Sequence, residues 1–211
     1  MNWMKKVAVA LVCLLPLGLQ AAKVDTLQVK SPSMNKSIEV VVVSPDVAAT
    51  KACPVIYLLH GYGGNARTWV GIKPDLPKIA DEKGIFFVCP DGKNTWYWDS
   101  PLNADVRYET FISNELVKYV DSHYKTVADR KGRAITGLSM GGHGAMWNGL
   151  RHSDVFSAAG STSGGVDIRP FPKNWEMSVQ IGEKAKYPEN WEKYTVINLV
   201  PTLRKDQIAL I

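Results

Sequence analysis

Ser139 sits in Gly137-Leu138-Ser139-Met140-Gly141, a G-x-S-x-G pentapeptide between a short strand pattern at residues 133–136 and a glycine-rich helical one, Met140–Arg151. A serine hydroxyl becomes a useful nucleophile when a base takes its proton, and a sharp strand-to-helix turn lifts its oxygen above the sheet edge. Glycines flank such a turn because larger side chains would collide in it, and Gly142 and Gly144 let the helix lie close to the strands. The chemistry this points to is acyl transfer through a covalent serine intermediate. That transfer also needs backbone N–H groups aimed at the oxygen where negative charge gathers, each worth about 3–4 kcal/mol. His60-Gly61-Tyr62-Gly63-Gly64, directly after an apolar run at 54–59, is a loop that can supply one. Met140, the residue after the nucleophile, can supply the other.

The elements that must position these groups follow from periodicity. Residues 24–29 and 38–43 read as strands around the turn Ser31-Pro32-Ser33-Met34-Asn35. The 54–59 run lacks polar alternation, which suits a strand covered on both faces, as in a parallel sheet. A helical stretch reaches Ala80, a strand occupies 85–89, and a Trp-rich loop follows. Residues 105–123 then place Ile112, Leu116, Tyr119, Val120 and His123 at helical spacing, and 155–161 reads as a further strand. Alternating strands and helices predict an α/β fold with a mainly parallel central sheet.

Four segments together carry a resemblance. Ser31-Pro32-Ser33-Met34, His60 to Gly64, Pro90-Asp91-Gly92 leading into Trp96-Tyr97-Trp98-Asp99-Ser100, and Gly137 to Ala145 resemble the esterase D-like esterases of the α/β-hydrolase superfamily. That group includes feruloyl and acetyl-xylan esterases, S-formylglutathione hydrolases and mycolyltransferases. The likeness runs from about residue 31 to the C-terminus and is most specific around Ser139. It implies an α/β-hydrolase fold, a mainly parallel sheet with helices on both faces, here with the last strands missing. It implies Ser139 as the nucleophile, with the Tyr62 and Met140 amides as the oxyanion hole.

The pattern breaks at the base. In this fold the order is nucleophile, carboxylate, histidine, and none of the four histidines fits. His60 belongs to the oxyanion loop, His143 lies one turn into the elbow helix, and His123 and His152 fall at predicted helix ends, where a cation complements the dipole. Asp167 is the best downstream carboxylate but comes one strand early. The chain closes on Gln207-Ile208-Ala209-Leu210-Ile211, which reads as a strand cut off in progress. The expectation is a single domain over residues 23–211 that is C-terminally incomplete, its triad Asp and His encoded beyond Ile211. Losing a triad histidine costs up to about 10⁶ in turnover, while an oxyanion hole retains roughly 10³–10⁴ over water. The 211 residues alone are therefore expected to be nearly inert.

Residues 1–22 read as a secretory signal: Lys5 and Lys6, an apolar run at 7–19, then Gln20-Ala21-Ala22. The run falls short of the roughly 20 residues that span a bilayer, so a secreted or periplasmic protein without stable membrane insertion is expected. Export permits disulfides, yet Cys53 opens one strand and Cys89 closes its predicted parallel neighbour. Their separation exceeds the roughly 7 Å a disulfide tolerates, so two buried free thiols are expected.

With 45% hydrophobic and 21% charged residues the composition is globular, and a formal charge of +5 carried by scattered basic residues gives no nucleic-acid footprint. No metal cluster or nucleotide loop is visible, so no cofactor is called for. Trp69, Trp96 and Trp98, among seven tryptophans, are candidate pocket residues where a sugar or aromatic acyl group would stack. The Pro/Lys/Glu-rich stretch 169–192 is a candidate cap. The expected substrate is a small-molecule or polysaccharide-linked ester, feruloyl or acetyl. A non-catalytic carbohydrate-binding relative and a sugar acyltransferase are the rival readings.

Overall fold

The computed structural model describes residues 22–211. The export segment predicted at 1–22 lies outside the described residues, Ala22 apart. Seven strands form one sheet: β1 (Lys23–Ser31), β2 (Lys36–Ser44), β3 (Val55–Leu59), β4 (Phe86–Pro90), β5 (Arg133–Gly137), β6 (Ala158–Ala159) and β7 (Ala209–Leu210), in the order β1-β2-β4-β3-β5-β6-β7. β1 and β2 pair antiparallel around the expected turn, and β2 meets β4 antiparallel. Every pairing from β4 to β7 is parallel. The helices between them are α1 (Thr68–Ile72), α2 (Leu76–Lys83), α3 (Tyr108–Thr110), α4 (Val117–His123), α5 (Met140–Arg151), α6 (Met177–Ile181) and α7 (Pro188–Lys193).

Strand side chains alternate between two cores because successive Cβ atoms leave opposite faces. Val40, Val42, Tyr57, Leu59, Phe86 and Val88 enter the larger core with Leu116, Val120, Trp147 and Trp191. Val41, Val43, Leu58, Phe87 and Cys89 enter a smaller one with Leu76 and Ala80 of α2. A sheet covered on both faces explains why the 54–59 run is apolar throughout.

Two sequence expectations shift in detail. The helix expected over 105–123 is interrupted by a π-helical turn, Phe111–Leu116, between α3 and α4. The strand expected at 155–161 shrinks to Ala158–Ala159, because the Val155 and Phe156 N–H groups bond back to the His152 carbonyl in the turn ending α5. The closing apolar run does enter the sheet, as β7, which pairs with β6 at the sheet's edge.

Cys53 and Cys89 are both free and buried. Val55 pairs with Phe86 in the β3–β4 register, which sets Cys53 before the start of one strand and Cys89 near the end of the other.

Candidate active site

Ser139 ends the bend between β5 and α5 with φ +52° and ψ −118°, a left-sided backbone that a non-glycine residue rarely holds. Its side is exposed, while Leu138 and Met140 beside it are half-buried and buried. The bend is possible because α5 starts against the end of β3: a Cβ on Gly141 would overlap the Leu59 carbonyl, and one on Gly137 would overlap Gly141. The Leu138 N–H donates to the Leu59 carbonyl at 3.3 Å, and the Ser139 N–H to the Thr162 carbonyl at 2.8 Å, fixing the turn from both sides.

The 61–65 loop lies directly on this bend. A Cβ on Gly61 would stand 3.5 Å from the Ser139 Cβ. The Gly63 N–H donates to Asn94 Oδ1 at 2.9 Å and the Gly64 N–H to the Gly61 carbonyl at 3.0 Å, which pins the loop around Tyr62. Met140 is the first residue of α5, where leading N–H groups have no intrahelical acceptor. The two expected oxyanion donors, Tyr62 and Met140, line one cavity with Ser139. It measures about 280 Å³ and is otherwise walled by Trp96, Ile168, Phe171, Trp175, Met177, Ser163, Gly165 and Asp167.

Of the three tryptophans read as pocket residues, only Trp96 lines this cavity. Trp98 is fully buried behind it, stacked on Trp96 at 5.4 Å between ring centroids. Trp69 packs on the smaller core and its Nε1–H donates to the Leu59 carbonyl at 3.0 Å. Aromatic residue type alone does not say which face a ring takes. The 169–192 stretch does reach the site, bringing Phe171, Trp175 and Met177 to it. Trp175 is held there by its own carbonyl, which accepts from Trp96 Nε1 at 3.1 Å.

None of the four histidines serves Ser139. His60 is buried, with Nδ1–H donating to the Gly61 carbonyl at 2.7 Å and Nε2 accepting from the Gly92 N–H at 2.9 Å. Beside it, burial resists ionisation of Asp91, but the Lys93 ammonium at 2.6 Å and the Lys93 N–H at 2.9 Å outweigh it and hold the carboxyl below its usual range. His143 donates from Nδ1 to the Gly165 carbonyl at 2.7 Å and accepts at Nε2 from Trp98 Nε1–H at 2.9 Å. His152 pairs with Glu109 at 2.8 Å, twelve residues and so ~18 Å along α5 from the bend. His123 bonds the Tyr119 carbonyl at 2.8 Å at the end of α4. Asp167 does line the cavity, but Arg169 grips both of its oxygens at 2.8 Å, which lowers its pKa and leaves it paired to a cation rather than to an imidazole. Among the described residues no group of three or more His, Cys, Asp or Glu is placed to hold a metal, and no helix is long and apolar enough to cross a membrane.

Comparison with known proteins agrees with this geometry. A family model described as "Putative esterase" matches residues 31–210. The chain is 30% identical over 149 residues to Esterase Rv1288 of Mycobacterium tuberculosis, covering 67% of this chain and 32% of that protein. It is 32% identical over 102 residues to an acetyl esterase of Caldicellulosiruptor saccharolyticus, covering 48% of this chain and 37% of the relative. It thus spans about a third of the length of these relatives. Among solved structures it superposes on a ferulic acid esterase with a TM-score of 0.69 at 28% identity, covering 89% of this chain and 74% of that one. An S-formylglutathione hydrolase from Agrobacterium tumefaciens gives a TM-score of 0.73 at 22% identity over 86% and 72% of the two chains, a likeness of fold. With its mainly parallel sheet, its serine elbow and a family match over nearly all of the described residues, the chain belongs to the esterase family of the α/β-hydrolase fold.

Proposed function

We propose that this protein is an exported serine carboxylesterase that cleaves acyl esters, carbohydrate-linked feruloyl or acetyl esters among them, through an acyl-serine at Ser139. The observation that carries the reading is the exposed Ser139 on its left-handed bend, sharing one cavity with Tyr62 and Met140. In this reading Ser139 Oγ attacks the ester carbonyl carbon as its proton passes to a base, and the carbonyl oxygen gathers charge at the Tyr62 and Met140 N–H groups. The bond between the acyl carbon and the alkoxy oxygen then breaks, and the alcohol leaves with that proton. Water repeats the sequence on the acyl-serine and frees the acid. No described histidine supplies the base, so the full-length protein is the object to test. The aromatic walls from Trp96, Phe171 and Trp175 favour a flat acyl or sugar face. The sugar acyltransferase stays a rival, separated from the hydrolase by product analysis with a sugar acceptor present.

A fluorophosphonate should label wild-type full-length protein at Ser139 and leave Ser139→Ala unlabelled. No labelling of a folded full-length protein overturns the esterase reading. That outcome would instead favour a carbohydrate-binding relative, the second reading, which the engagement of His60 and His143 elsewhere supports.

A further inference from the structure

His143 is fully buried one turn into α5, with Trp96 and Trp98 edge-on to its ring at 5.2 and 5.1 Å between centroids. Trp98 Nε1 can only donate and the Gly165 carbonyl can only accept. Of the three forms an imidazole can take, the neutral Nδ1–H tautomer alone satisfies both. The other tautomer and the imidazolium would set N–H against N–H. Burial pushes the ring down to about 4, against the opposing pull of its bond to Gly165.

The two bonds end on different walls of the cavity. Trp98 backs Trp96, whereas Gly165 belongs to the segment that also brings Ser163, Asp167 and Ile168 to the cavity. That segment rests on the start of α5 so closely that a Cβ on Gly164 would stand 2.6 Å from the Gly142 carbonyl carbon and 2.7 Å from the His143 nitrogen. His143 is itself tied to the nucleophile, its N–H donating to the Ser139 carbonyl at 3.0 Å. One ring thus refers both walls to Ser139.

Resting on the reading of Ser139 as nucleophile, we propose that His143 is a positioning residue: its Nδ1–H, by holding the Gly165 carbonyl, sets the 163–168 wall of the ester cleft, and its Nε2 sets the Trp98–Trp96 wall. The first bond also turns a carbonyl oxygen inward, where it cannot repel negative charge gathering near Ser139.

Two isosteres separate the bonds. His143→Asn keeps a donor near Nδ1 and loses the acceptor, whereas His143→Gln keeps an acceptor near Nε2 and loses the donor. In the full-length protein, the rate of Ser139 labelling by a fluorophosphonate is read together with backbone hydrogen exchange. Since a misplacement of about 1 Å costs up to roughly 10² in rate, H143Q should label tenfold to a hundredfold more slowly, with faster exchange at 161–168. H143N should stay within about threefold of wild type, its exchange rising at 95–98 instead. Trp98→Phe removes the Nε1–H that donates to Nε2, together with part of the ring stacked on Trp96, and should raise exchange at 95–98 while leaving that at 161–168 unchanged. Unchanged exchange in β3 and β5 marks each variant as folded. Equal behaviour of H143Q and H143N overturns the proposal, and so does an Nε2–H tautomer in the wild-type ¹⁵N spectrum. Failure of wild-type labelling sinks the esterase reading alone, since the exchange contrast still decides the role of His143.

Discussion

At the scale of single residues, backbone strain gathers at and around the cleft, with Asn35, Lys93 and Asp206 the other strained positions among the described residues. Trp96, Tyr97, Ser139, Ser163, Trp175 and Glu176 all hold φ between +49° and +60°, at a cost on the order of 1–3 kcal/mol each. Glycine removes that cost at position 139, though it frees the unfolded chain. Ser139→Gly should therefore be more stable than Ser139→Ala by about 1 kcal/mol in urea titrations, while neither variant is labelled by a phosphonate. His143 brings a pH dependence of definite sign. An imidazole titrates near 6.5 in the unfolded chain but at about 4 in the fold, so between those values the unfolded state binds the extra proton. Stability from this residue is complete above pH 6.5 and declines as the pH falls toward 4, by up to roughly 3 kcal/mol. The difference between wild-type and H143N denaturation midpoints, measured across that window, should shrink on the acid side. That Ser139, Tyr62 and Met140 meet at one cavity could be read from sequence because the G-x-S-x-G and glycine-loop patterns are local. The 169–192 stretch was marked as a cap, but which of its side chains reach the cavity, Phe171 and Met177 among them, was not, and nothing in the chain marked the Gly165 carbonyl as a neighbour of the site.

Between elements, the decisive contact is the start of α5 on the end of β3. A Cβ at Gly141 has no room beside the Leu59 backbone, and overpacking of this kind typically costs 1–3 kcal/mol. Gly141→Ala should lose about that much in chemical denaturation and label more slowly at Ser139, because helix and bend must move together. A second tie joins α3 to the far end of α5. Glu109 is buried and receives Arg151 Nε at 2.8 Å, His152 Nε2 at 2.8 Å and Trp147 Nε1–H at 2.7 Å. Removing one partner of a buried charge network leaves the rest uncompensated, so Glu109→Ala should destabilise by about 3 kcal/mol in the same assay. This tie also accounts for His152, whose place at a helix end was legible while its carboxylate partner, 43 residues away, was not. The π-helical turn after α3 was equally hidden, because one extra residue per turn leaves little trace in an apolar spacing pattern.

Across the whole molecule, the two cores on opposite faces of the sheet keep Cys53 and Cys89 apart and out of solvent. Burial raises the pKa of both thiols, which suppresses the reactive thiolate. A thiol reagent should modify Cys53 and Cys89 slowly in the native protein and rapidly once it is denatured, and reductant should leave the thermal midpoint unshifted. A disulfide found by mass spectrometry of the non-reduced protein would contradict the strand register. The alternation of strands and helices, the doubly covered strand at 54–59 and the serine elbow were all written in the sequence. Each depends on the order of residues within a dozen positions, and backbone geometry converts that order directly into shape. Which tryptophan faces the cleft, which carboxylate meets an arginine and which histidine stays neutral were decided by tertiary structure alone. Those outcomes depend on burial and on partners from distant elements, quantities that exist only once the sheet has brought the elements together.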